Sequence, residues 1–262
     1  MILSRIEKLV DSWFSILPRA QPDVEPVVNA RLIAHRGAYD HSRQIMENTD
    51  AAFARALNLG CWGIEFDVHA CADQTLIINH DPTLKRLWGH DVIIGDSSFQ
   101  QVRELAPSLP SLADIVARYG KRMHLFIELK APFVATGQLA EVLQPLTPCM
   151  DYHLLSLDAT VFQNLDLFPR ETFLLVPVHN NVNKFCNLSL QQQYGGVLGH
   201  YLLLRDQHIQ ALKDTNQIAG VGFIDSKYSL YRELHRGLSY LFSNKVETVS
   251  ACLQALALRR PV

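Results

Sequence analysis

From residue 30 onward, short apolar runs alternate with amphipathic windows of helical period, a pattern that suits a parallel sheet whose strands are joined by helical crossovers. Strands are expected at 31–35, 62–68, 123–129, 152–156, 172–178, 196–204, 217–224 and 240–242. Eight such units in a chain of 262 residues agree in number and length with a single closed (β/α)8 TIM barrel of the α/β class.

The helical windows carry start and stop signals. Asn48 or Thr49 caps a helix that turns Phe53, Ala56 and Leu57 inward and stops at Gly60. Ser111, with Asp114 three residues on, opens another that stops at Gly120, and Asp158, Asp206 and Asn244 are candidate caps for later helices. The one long excursion, a small insertion after strand 2 at about 70–109, holds an extra short strand at 76–79. Ahead of the barrel, Ile2, Leu3, Ile6, Leu9, Val10, Trp13, Phe14 and Leu17 recur at helical spacing, predicting an N-terminal amphipathic helix that ends before Pro18. The expected organisation is thus helix and linker over 1–29 and one barrel domain over 30–262.

Composition limits the class of partner. With 48% hydrophobic and 19% charged residues the chain is not disordered, and 24 basic against 26 acidic residues give no polybasic field for nucleic acid or an anionic bilayer. An anionic substrate must therefore be held locally. Cys61, Cys71, Cys149, Cys186 and Cys252 lack zinc-site spacing, and their odd number suits a reducing compartment. Arg5, Glu7, Lys8 and Asp11 interrupt the apolar run a signal peptide needs, and no segment approaches a membrane span. A soluble, cytoplasmic protein is expected. The mixed charge of the N-terminal helix favours packing on protein over association with a membrane surface. The oligomeric state is not fixed by the sequence.

Reactive residues of such a barrel come from the C-terminal ends of its strands. There the chain places His35-Arg36-Gly37, Glu65-Phe66-Asp67, His80-Asp81 and Glu128-Leu129-Lys130. Glu65 and Asp67 lie two apart on a strand, on one face, with a rise of about 6.6 Å between them. Buried together with Glu128 they repel, and a hard divalent ion, Mg2+ or Ca2+, compensates through an all-oxygen site. The alternative is a structural network of salt bridges with Arg36 and Lys130. His35 and His80, each beside a charged neighbour, can hold one neutral and one protonated imidazole at neutral pH. Arg36 matches phosphate oxygens in two-point fashion and Lys130 acts as a point charge. Metal, two cations and two histidines together describe in-line displacement at a phosphodiester.

The ordered set Ala34-His35-Arg36-Gly37, Glu47-Asn48-Thr49, Ala56, Gly60, Ile64-Glu65-Phe66-Asp67-Val68, Asp73, His80-Asp81, Pro110-Ser111-Leu112 and Glu128-Leu129-Lys130 resembles the glycerophosphodiester phosphodiesterase family over about the first half of the chain. The resemblance implies a TIM barrel that hydrolyses glycerophosphodiesters to sn-glycerol 3-phosphate and an alcohol with a divalent cation. It implies metal ligation by Glu65, Asp67 and Glu128, acid and base work by His35 and His80, and phosphate contacts from Arg36 and Lys130. It also brings Glu47 into the site, although an acidic residue at a helix start has an ordinary explanation in the helix dipole. The chain departs from the family pattern at Met46, at Asp73-Gln74, and at Gly222-Phe223-Ile224-Asp225, where the family carries a Trp-Thr-Val-Asn type segment. There Phe223 offers an apolar wall to the substrate. Arg86, Leu87 and Trp88 are candidates for the mouth of the site or for a small core under the insertion.

The reading that follows is a phosphoric diester hydrolase with a small-molecule glycerophosphodiester substrate and no nucleic acid partner, His35 favoured as base and His80 as acid. Two alternatives stand beside it: lysophospholipase D or sphingomyelinase D type activity on lipids, and a catalytically silent barrel that binds phospho-ligands or a protein partner.

Overall fold

A computed structural model describes residues 13, 15–178 and 180–258. Its strands are β1 (Arg31–His35), β2 (Gly63–Ala70), β3 (Leu76–Ile78), β4 (His124–Leu129), β5 (Tyr152–Ser156), β6 (Phe173–Leu175), β7 (Gly196–His200), β8 (Ile218–Gly222) and β9 (Tyr240–Ser243). Eight of them pair in parallel in the order β1-β9-β8-β7-β6-β5-β4-β2, and β1 returns to β2 to close the barrel. β3 adds antiparallel to the far end of β2 and belongs to the insertion.

Short connections force helices onto the outside. These are α1 (Val24–Val28), α2 (Asp50–Asn58), α3 (Lys85–Trp88), α4 (Phe99–Leu105), α5 (Leu112–Tyr119), α6 (Thr136–Leu143), α7 (Val182–Gln192), α8 (Asp206–Asp214), α9 (Lys227–His235) and α10 (Val246–Ala257). Caps agree with the sequence at two of them: the Thr49 hydroxyl accepts from Ala52 N–H at α2, and Ser111 and Asp114 form a reciprocal capping box at α5.

The interior of the barrel is layered. At the N-terminal end lie His124 and His153 with Trp62 and Tyr240 around them. Ile33, Phe126, Leu155, Leu174, Leu198 and Phe242 fill the middle. Alternation along each strand then carries His35, Glu65, Asp67 and Glu128 to the C-terminal end, above that apolar plug. The larger core lies between barrel and helices, and the insertion has its own core of Cys71, Ile77, Leu84, Ile94, Val102, Ala106 and Leu109.

Four local expectations change. The stretch 18–29 is not only a linker, because α1 packs on the barrel through the buried Val27. Asp158 caps a 3-10 turn (Ala159–Asn164), which replaces an α-helix between β5 and β6. Asp206 is the first residue of α8, whose cap position is Arg205. Asn244 caps nothing; its side chain turns toward β1. Most of the expected helix before Pro18 lies outside the described residues; Trp13, Ser15 and Ile16 are helical, and Trp13 and Ile16 are exposed. No described helix is long and apolar enough to cross a membrane.

Candidate active site

Strand register assembles the acids. β2 and β4 run parallel with Asp67 opposite Glu128, and β1 sets His35 opposite Glu65. One carboxylate oxygen from each of Glu65, Asp67 and Glu128 lies within 4.8 Å of the others, and all three residues are buried.

The turn after β1 brings cations to the same point. Arg36 (φ 55°) and Gly37 (φ 80°) both take left-handed backbone. A Cβ on Gly37 would fall 2.8 Å from that of Ala52, so glycine lets α2 approach. The Arg36 backbone N–H then donates to Glu65 Oε2 at 3.0 Å, while its guanidinium meets Glu47 at 3.0 Å and Asp67 at 3.4 Å. Lys130 Nζ lies 2.6 Å from Asp67 Oδ1 and also pairs with Glu128.

These ion pairs are the structural network expected as an alternative to metal binding, but they do not balance the charge. Five carboxylates (Glu47, Glu65, Asp67, Asp81, Glu128) face three cations (Arg36, Arg86, Lys130), an excess of two negative charges when all are ionised. Burial, with the charge of Asp67 beside them, pushes Glu65 and Glu128 well above the usual carboxylate range. Burial would raise Asp67 as well, yet Lys130 and Arg36 hold it low. Glu65 Oε1 is buried without a partner. An all-oxygen donor set, an orphaned carboxylate oxygen and two uncompensated charges fit a hard divalent cation such as Mg2+ or Ca2+.

The two histidines are held differently. His35 Nδ1 meets Asn244 Oδ1 at 2.7 Å, and its Nε2 lies 3.7 Å from Glu65 Oε2. Asn244 is in turn fixed by Asp225, which accepts from its backbone N–H at 2.7 Å and its Nδ2 at 3.2 Å. His80 Nδ1 instead meets a carboxylate, Asp81, at 2.8 Å; Arg86 links Asp81 at 2.5 Å to Glu47 at 2.7 Å. Burial lowers the pKa of both imidazoles; the Asn244 contact opposes this at His35, and the Asp67 charge and the Asp81 contact oppose it at His80.

His35, Arg36, Glu65, His80, Glu128, Lys130 and Phe223 all line one cavity of about 530 Å³. Of the other two residues singled out, Asp67 lies within the ion cluster and Glu47 behind Arg36. Leu157, Val178 and Phe223, each more than 40% exposed, give the same cavity an apolar rim. Arg86 joins the site through Glu47 and Asp81, whereas Trp88 packs on the insertion's own core and donates to Asn79. Sequence reasoning passed over Tyr39, Asn48, His200 and the Asn244–Asp225 pair. Tyr39, His200 and Asn244 line the cavity, and Asn48 touches Asp67. Position at a strand end was the available signal for His200, Asp225 and Asn244.

Residues 35–147 match the model of the glycerophosphoryl diester phosphodiesterase family. A glycerophosphodiester phosphodiesterase of Caldanaerobacter subterraneus subsp. tengcongensis is 32% identical over 124 residues, covering 43% of this chain and 50% of that one. A human lysophospholipase D is 38% identical over 80 residues, 30% of this chain and 24% of that one. The chain thus spans half or less of the length of these curated relatives. Among solved structures, a phosphodiesterase of Oleispira antarctica in complex with the product sn-glycerol-3-phosphate superposes with a TM-score of 0.70 at 22% identity, covering 86% of this chain and 96% of that one.

Proposed function

We propose that the chain, whose residues 35–147 match the glycerophosphoryl diester phosphodiesterase family, is a member of it and hydrolyses glycerophosphodiesters to sn-glycerol 3-phosphate and an alcohol. The observation that carries the reading is the cluster of Glu65, Asp67 and Glu128 beside two cations and two differently partnered histidines in one cavity. In this proposal residues 30–262 form the catalytic barrel and the segment before them an appended helix and linker.

Glu65, Asp67 and Glu128 would hold one divalent cation, Mg2+ or Ca2+. When bound, the ion neutralises the diester and polarises its phosphorus. Arg36 and Lys130 orient the remaining phosphate oxygens, and Glu47 acts through Arg36 by fixing its guanidinium. His35, its Nδ1 proton given to the amide oxygen of Asn244, keeps a lone pair on Nε2 and serves as base. It takes the proton of the attacking oxygen, either a water, which gives glycerol 3-phosphate directly, or the neighbouring glycerol hydroxyl of the substrate, which gives a cyclic phosphate that water then opens. His80, with the Asp81 carboxylate supporting its charged form, serves as acid and gives a proton to the departing alcohol as the P–O bond breaks. Phe223 forms part of the wall that receives the organic group.

A second reading rests on the apolar rim. Exposed Leu157, Val178 and Phe223 beside a polar centre suit a substrate with a hydrocarbon portion, a lysophospholipid rather than a fully polar diester. The lysophospholipase D relative is in keeping with it. A catalytically silent barrel is disfavoured because every acid, cation and histidine position is filled. Purified protein with Mg2+ or Ca2+ should release glycerol 3-phosphate from glycerophosphocholine, and His35→Ala should abolish release without unfolding. Wild type and variant equally inert across a panel of diesters would favour the silent barrel.

A further inference from the structure

The tripeptide Glu47-Asn48-Thr49 divides three tasks among neighbours. Glu47 binds Arg36 and Arg86, and Thr49 caps α2. Asn48 has no such ordinary role. It is 1% exposed and takes left-handed backbone (φ 56°), with its N–H donating to Arg36 O at 3.0 Å. Its Nδ2 donates to Asp67 Oδ2 at 2.8 Å, while its Oδ1 is buried with no partner. A buried acceptor left without a donor is costly in a folded protein. Glu65 Oε1 is buried without a partner as well, so the acid cluster and the amide that touches it each carry an unsatisfied acceptor.

We propose that Asn48 is a positioning residue of the ion site. Its amide fixes the rotation of the Asp67 carboxylate, leaving Oδ1 of Asp67 to Lys130, and its free carbonyl oxygen would accept a hydrogen bond from the hydration shell of a bound cation. Asparagine suits both tasks: it is neutral, so it adds nothing to a site already short of positive charge, and it tolerates left-handed backbone better than most residues. The assignment rests on the ion-binding reading of Glu65, Asp67 and Glu128.

Calorimetric titration of chelated protein with Mg2+ and with Ca2+, on wild type, Asn48→Gly and Asn48→Ala, tests it. Glycine and alanine both lack the amide but differ in how they accept φ 56°. Both variants should therefore lose ion affinity by about 10- to 100-fold, whatever their melting temperatures, when titrated well below unfolding. Wild-type affinity in either folded variant overturns the role of Asn48 and leaves the ion site standing. A wild type that binds neither ion overturns both.

Discussion

His35 and Asn244 meet Nδ1 to Oδ1 at 2.7 Å across the seam where the first and last strands of the barrel pair. Asp225 holds Asn244 so that its amide oxygen, an acceptor only, faces the imidazole. The proton on that edge of His35 is therefore fixed, and the opposite nitrogen is free to accept. Removing the contact in Asn244→Ala should lower kcat by about 10- to 100-fold with KM nearly unchanged. An equal rise in KM with unaltered kcat would mean that Asn244 serves binding instead.

The acid and base roles separate by leaving group. A departing p-nitrophenolate needs no proton, so His80→Ala should be far less impaired on a nitrophenyl phosphodiester than on glycerophosphocholine. His35→Ala should be impaired on both. The reverse pattern would exchange the two roles.

Metal-free protein should gain stability from Mg2+ or Ca2+, by about 2.7 kcal/mol at a hundredfold excess over Kd. Glu65→Gln removes one of the two excess charges, so it should leave the metal-free protein as stable as wild type or more so, while the response to the ion disappears. A strong loss of metal-free stability would identify Glu65 as a structural partner of Arg36 and His35.

At the other end of the barrel, His124 Nε2 and His153 Nδ1 lie 2.7 Å apart, stacked among Trp62 and Phe126. Burial lowers His124 to about 4, and burial with the neighbouring His124 lowers His153 to about 3. Unfolded, each titrates near 6.5. Between those values the unfolded chain binds more protons, so stability is full above pH 6.5 and falls with pH below it. The loss is at most about 2 kcal/mol per histidine between pH 6.5 and 5. Glu65 and Glu128, raised by burial, act in the opposite sense over this window, so the pair is read as the difference between wild type and His153→Leu: from pH 7 to 5 the wild-type urea midpoint should fall relative to the variant's. A difference that stays constant from pH 7 to 5 would contradict the neutral pair.

The apolar rim discriminates between the two substrate readings. If a hydrocarbon chain rests there, Leu157→Asp should cut turnover of lysophosphatidylcholine about tenfold or more relative to glycerophosphocholine. An unchanged ratio would leave the rim without a role in substrate choice.

The eight barrel strands were legible because each is a short apolar run closed by a turn signal, and the ion cluster because its acids sit at strand ends with period-two spacing. What escaped depends on contacts between distant segments. Asn244 looked like a helix cap because a polar residue ahead of a helix usually is one; only the closure of β9 on β1 turns it toward His35. Asn48 looked like half of the α2 cap, yet its left-handed backbone swings the side chain to Asp67 and leaves the cap to Thr49. Arg86 lies on α3, a single turn within the insertion, and no periodicity ties it to Glu47, 39 residues away.

The central claim is that three buried carboxylates hold an ion on which diester cleavage depends. Chelated protein given glycerophosphocholine should release no glycerol 3-phosphate, and Mg2+ or Ca2+ added back should start release in wild type but not in Asp67→Asn. Release that proceeds equally in chelator, or that Asp67→Asn retains in full, would contradict it.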